Sequence, residues 1–120
     1  MTAADRVRLL KWAFWVAAAF AFVMAVLPHP PRLPGSPSDK IQHITAFATL
    51  GLLSSLAYPR TAIIRLIVLL SLFGAAIEIV QAIPALNRDS DAIDWIADTI
   101  ACALVVAALG WWRMRAGRGD

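Results

Sequence analysis

Four apolar runs, at residues 9–27, 41–58, 62–83 and 92–112, occupy most of this 120-residue chain. A helix needs about 20 mostly apolar residues to cross the hydrocarbon of a bilayer, and each run is close to that length. Each also has a stop. The first ends in "PHPPRLPGSP", residues 28–37, which holds five of the seven prolines and cannot continue a helix. Pro59 and Pro84 follow the second and third runs, and Arg113 opens the polar tail after the fourth. Lys11 lies near enough to the start of the first run to snorkel. A soluble domain is about 45–50% apolar and about 25% charged. Here 60% of residues are hydrophobic, 16% are charged and mean hydropathy is +0.69. A single small core could not bury so much apolar side chain. The expected fold class is therefore all-α: an integral membrane bundle of four transmembrane helices forming one domain over residues 1–120. The first run exceeds a usual signal-peptide core and has no small-residue cleavage site before the prolines, so it is expected to stay in the protein.

Basic residues orient the spans. Arg6, Arg8, Lys11, Arg60, Arg65, Arg113, Arg115 and Arg118 fall at one end of the antiparallel runs, and Arg32, Lys40 and Arg88 at the other. That imbalance predicts both termini in the cytoplasm. Trp12, Trp15, Tyr58, Trp111 and Trp112 map to the same boundary and Trp95 to the opposite one, as interfacial anchors should. Asp39, Glu78, Asp89, Asp91, Asp94 and Asp98, six of the eight acidic residues, lie toward the outer side. No basic stripe interleaved with aromatics points to nucleic acid. Cys102, the only cysteine, sits in an apolar run and reads as a small core residue.

The outer acids are not scattered. Residues three or four apart share a helix face. Asp39 and His43 do so at the start of the second run, Glu78 and Gln81 at the end of the third, and Asp94 and Asp98 at the start of the fourth. At about 1.5 Å per residue, His43, Glu78, Asp94 and Asp98 lie roughly 5–10 Å inside the outer boundary. Charges facing lipid there are costly, so they are expected to face inward and pair. Small residues on the same faces, Gly51 and Ser54, Ser71 and Gly74, Ala97 and Ala101, suit close helix packing. Asp39 and Asp91 also suit N-cap positions, and Asp94 a capping arrangement. Lys40 and Arg88 suit interface anchors, and His29 an exposed loop position. Capping does not explain His43, Glu78 or Asp98.

The order of these residues resembles the VanZ-like family of small bacterial membrane proteins. Its pattern of D-K-x-x-H-x-x-x-F-x-x-L-G matches Asp39, Lys40, His43, Phe47, Leu50 and Gly51. Its E-x-x-Q matches Glu78 and Gln81, followed by Arg88 in a short loop. Its D-x-x-A-N, with a glycine three residues on, matches Asp94 and Ala97, with Asp98 in place of Asn and Ala101 in place of Gly. The likeness covers residues 38–101. The family is named for a member associated with resistance to teicoplanin, a lipid-tailed glycopeptide acting at the outer membrane face. The resemblance thus implies a cell-envelope or antibiotic-tolerance role in the bacterial inner membrane.

The residues leave several functions open. The leading expectation is an outer-leaflet polar pocket that binds an amphipathic envelope ligand, a lipid head group or a lipoglycopeptide-type molecule. Its binding residues are Asp39, Lys40, His43, Glu78, Gln81, Arg88, Asp94 and Asp98. The alternative is an intramembrane enzyme acting on a lipid-linked substrate, with His43, Glu78 and Asp98 as catalytic candidates, although no activated nucleophile or phosphate cradle is present. A proton-coupled transporter would need polar residues continuing through the inner half, and these are few. A purely structural polar network is the remaining reading. A metal variant would use His43 with Glu78, Asp94 or Asp98. One histidine and no inward thiol at this depth make a zinc site weak, and the carboxylates better suit a harder ion, so no metal site and no cofactor are expected. Expected partners are membrane lipid and a lipid-linked or lipopeptide ligand, with no nucleic acid. A four-span chain this small is also a candidate for homo-oligomerisation.

Overall fold

The computed structural model describes residues 1–28, 35, 38–86, 88 and 90–118. His29, Arg32, Asp89 and most of the proline segment lie outside the described residues. All regular structure among those described is helical: α1 (Ala3–Val26), α2 (Asp39–Ala57), α3 (Ile63–Gln81) and α4 (Ala92–Arg118), with a single 3-10 turn at Pro84–Leu86 before α4.

The helix limits follow from local chemistry. Thr2 and Asp5 form a reciprocal capping box: the Asp5 amide donates to Thr2 Oγ1 at 3.1 Å and the Thr2 amide to Asp5 Oδ2 at 3.0 Å. This satisfies two of the amide groups that a helix start leaves unpaired. Leu27, extended before Pro28, ends α1, as a residue preceding proline is driven to do. At α2 the cap is Ser38 rather than Asp39: Ser38 Oγ accepts from the Ile41 amide at 3.3 Å. Asp39 is the first helical residue, where a carboxylate still favours the positive end of the helix dipole. Asp91 caps α4 as expected, its Oδ1 accepting from the Ile93 amide at 2.9 Å.

The four helices run up, down, up, down. The start of α1, the end of α2, the start of α3 and the end of α4 therefore share one end. Several bonds tie that end together. The Trp15 indole N–H donates to Tyr58 Oη at 2.8 Å, Lys11 lies over the Tyr58 ring, and Arg113 donates to the Ser55 carbonyl at 2.8 Å. Phe47, Leu50, Ile77, Cys102 and Val106 fill the centre.

The distribution of polarity is inverted relative to a soluble bundle. Leu9, Trp12, Phe20, Leu69, Ile79 and Leu104 are exposed, whereas Ser54, Ser55, Glu78, Gln81 and Asp98 are buried. Scattered exposed apolar side chains are ordinary, but apolar faces of this extent mark contact with something other than water. Three helices, α1, α3 and α4, are long and apolar enough to cross a membrane. The 19 residues of α2 would span about 28 Å, but its first turns carry Asp39, Lys40, Gln42 and His43. It packs against all three other helices, and His43, Ser54 and Ser55 turn inward while Asp39, Lys40, Thr45 and Thr49 stay exposed.

Small residues set how closely these helices approach. A Cβ added at Gly51 would lie 3.2 Å from the Cys102 carbonyl oxygen and 3.3 Å from its Cα. The tightest approach of α4 to α2 at this level is thus at Cys102, while Ala101, expected from the motif to mark it, is only partly buried. Gly74 leaves room for Phe47 and Trp95, and Gly110 for the side chain of Ile63. Gly51→Val should force α2 from α4 and destabilise the purified protein by about 1–3 kcal/mol. Leu104→Ala, on the exposed face of α4, should leave stability within about 0.5 kcal/mol. Denaturant titration of both variants in detergent checks the contrast.

Candidate functional site

At the end of the bundle opposite the Trp15–Tyr58 contact, three helices each bring one ionisable side chain to a common point. His43, in the second turn of α2, places Nδ1 3.1 Å from Oδ2 of Asp98 on α4, within hydrogen-bond distance. Glu78, in the last turn of α3, accepts with Oε2 from the Asp91 amide at 2.8 Å and from the Ser90 hydroxyl at 3.2 Å. One donor atom from each of His43, Glu78 and Asp98 lies within 4.8 Å of the others. Asp98 is 1% exposed and Glu78 8%. The layer inferred from helical spacing is thus assembled at these three positions.

Burial and pairing do not balance. Glu78 Oε1 and Asp98 Oδ1 are buried without a hydrogen-bond partner among the described residues. Buried polar atoms nearly always have partners, so two orphaned carboxylate oxygens in one cluster are unusual. Among the described residues His43–Asp98 is the one ion pair. No Lys or Arg in that set pairs with either acid.

Beside this cluster a cavity of about 350 Å³ opens between α1 and α2. Ala17, Phe20, Ala21 and Met24 of α1 and Ala46 and Phe47 of α2 make it largely apolar. Asp39, Gln42, His43 and Arg88 add polar groups from the start of α2 and the loop before α4. His43 therefore belongs to both features: it lines the cavity, and its Nδ1 bonds to Asp98.

The other expected site residues divide by role. Arg88 donates from Nη1 to the carbonyls of Leu27 at 2.9 Å and Met24 at 3.3 Å. Gln81, buried, donates from Nε2 to the Ala25 carbonyl at 2.9 Å. Both side chains pair the last carbonyls of α1, which have no partner within the helix, and the Arg88 charge also complements the negative end of its dipole. Asp39 lines the cavity although exposed. Lys40 is exposed and contributes nothing to the cavity wall. Asp94 is half-buried one turn before Asp98, and its carboxylate accepts no hydrogen bond among the described residues.

Other contributions have no counterpart in the sequence reading. Ser90 reaches both the carbonyl and the carboxylate of Glu78. The Ser71 and Thr99 hydroxyls bond at 2.9 Å, linking α3 to α4. The Trp95 indole donates to the Ser71 carbonyl at 2.9 Å, so its N–H is directed onto α3. Helix α1 supplies much of the cavity wall, through Ala17, Phe20, Ala21, Met24 and Ala25. Ser90, next to the capping Asp91, is the one residue of these whose position could have flagged it.

No family model, no curated protein and no solved structure matches this chain.

Arg88→Ala should leave the carbonyls of Met24 and of the capping Leu27 without this partner and loosen that helix end. The expected result is faster amide exchange at the last turn of α1, with the Trp15–Tyr58 end unchanged. Hydrogen-exchange mass spectrometry of the detergent-solubilised protein measures both.

Proposed function

We propose that this is a VanZ-like, four-span protein of the bacterial inner membrane, with both termini cytoplasmic, that binds an amphipathic envelope ligand from the outer leaflet. The cavity between α1 and α2 carries this reading. Its apolar walls suit an acyl chain, and Asp39, His43 and Arg88 supply charge for a head group. Its volume of about 350 Å³ lies within the usual range for small-molecule sites, which combine apolar walls with a few placed polar groups. The ligand class is a lipid head group or a lipoglycopeptide-type molecule carrying an apolar tail. The ordered resemblance over residues 38–101 supports a role in the cell envelope or in antibiotic tolerance. The bias of basic residues toward one end supports the orientation.

A second reading has one observation in its favour. His43 is held by Asp98 and faces the cavity, the arrangement of a histidine oriented by a carboxylate to act as a general base. An intramembrane enzyme acting on a lipid-linked substrate would use it so, with Glu78 as the neighbouring acid.

Mass spectrometry of amphiphiles retained through purification tests the reading. Wild type should keep a defined species, and Ala21→Phe, which fills the cavity wall, should lower its occupancy about tenfold, equivalent to about 1.4 kcal/mol. Equal retention by both proteins would count against the cavity as the binding site. A species altered by wild type but left intact by His43→Gln would instead favour the enzyme.

Orientation is tested in intact cells. Lys40→Cys should react with a membrane-impermeant maleimide added outside, and Arg60→Cys only after permeabilisation. The reverse pattern would sink the topology.

A further inference from the structure

We propose that His43, Glu78 and Asp98 form a binding site for one divalent transition-metal cation. The inference is independent of any ligand in the neighbouring cavity. It rests on the converging donors and on the two carboxylate oxygens that have no partner in the described structure, Glu78 Oε1 and Asp98 Oδ1.

The geometry is close to that of a coordination sphere. Nitrogen and oxygen ligands sit about 2.0–2.2 Å from a zinc ion, which puts neighbouring donors on one ion roughly 3–4 Å apart. His43 Nδ1 and Asp98 Oδ2 are already 3.1 Å apart, and all three donors fall within 4.8 Å. A small rotation of the Glu78 side chain brings the third donor in. Binding replaces the proton shared by His43 and Asp98 with the ion, as metal binding to a histidine requires.

Charge and donor type point the same way. Two buried carboxylates that share only one imidazole between them, with no Lys or Arg paired to either among the described residues, are costly, and a divalent ion offsets both charges. One imidazole and two carboxylates suit zinc, manganese or iron, whereas calcium and magnesium favour all-oxygen sites. The shell is also supported from outside, as metal ligands usually are. Ser90 and the Asp91 amide hold Oε2 of Glu78, which leaves Oε1 to turn toward the ion. The donors come from α2, α3 and α4, so the ion would also cross-link three helices at their outer ends.

The test uses the full chain in detergent, stripped with a chelator, equilibrated with Zn2+ and desalted before metal analysis. Wild type should retain about one zinc per chain. His43→Ala and Asp98→Asn should each weaken uptake at least about tenfold, while Lys40→Ala should not change it. Loss of a buried partner can itself unfold a bundle, so wild type provides an independent reading. Its unfolding midpoint should rise with Zn2+, by linkage of binding to the folded state, and not with Mg2+. Wild type that neither retains zinc nor gains stability from it overturns the proposal. So does equal uptake by folded His43→Ala and Asp98→Asn proteins.

Discussion

Helix ends set the terms for this bundle. Each helix leaves about four carbonyls unpaired at its last turn, and each needs a partner from a cap, a side chain or water. The chain answers with side chains borrowed from other helices and loops. Gln81 and Arg88 cover the end of α1, and Arg113 covers the end of α2. These bonds fix which helix ends lie together. Packing at Gly51 and Gly74 then fixes how close the shafts come. The acid–histidine cluster depends on both, because its members sit on three different helices and have no local reason to meet.

The extent to which this was legible in the sequence differs by kind of residue. Helix positions were readable because length, apolar content and proline stops act locally. The meeting of His43, Glu78 and Asp98 was readable as well, since ionisable groups one or two turns inside an apolar run are costly facing lipid and so turn inward. The part played by α1 was not. It contributes backbone carbonyls and alanine-rich wall, and neither leaves a distinctive side chain to notice. Arg88 and Gln81 were visible as polar residues in the right layer, but their partners are carbonyls of α1, which every residue possesses. Ser38 displaced Asp39 as the cap for a similar reason: two adjacent residues both suited the position, and only the backbone geometry distinguishes them.

The metal site shows the same limit from the other side. Counting ligand types along the chain argues weakly for an ion, with one histidine and no thiol. Three-dimensional placement adds what counting lacks, namely the common distance and the two oxygens left without partners. The other end of the bundle gathers no buried carboxylates, although the buried Ser55 Oγ there also has no partner among the described residues. Trp15, Tyr58, Lys11 and Arg113 are satisfied by one another or by a carbonyl, and they read as structural fastening.

The double position of His43 has a thermodynamic consequence. One residue lines the cavity and binds Asp98 through its ring, so the two features are coupled through it. Any occupant of the cavity that turns the ring alters what Asp98 is bonded to, and any change at Asp98 alters the cavity wall. By linkage such an effect is reciprocal and equal in free energy in both directions. A single imidazole thus makes the apolar groove and the buried acids one responsive unit, in which the state of each is reported to the other.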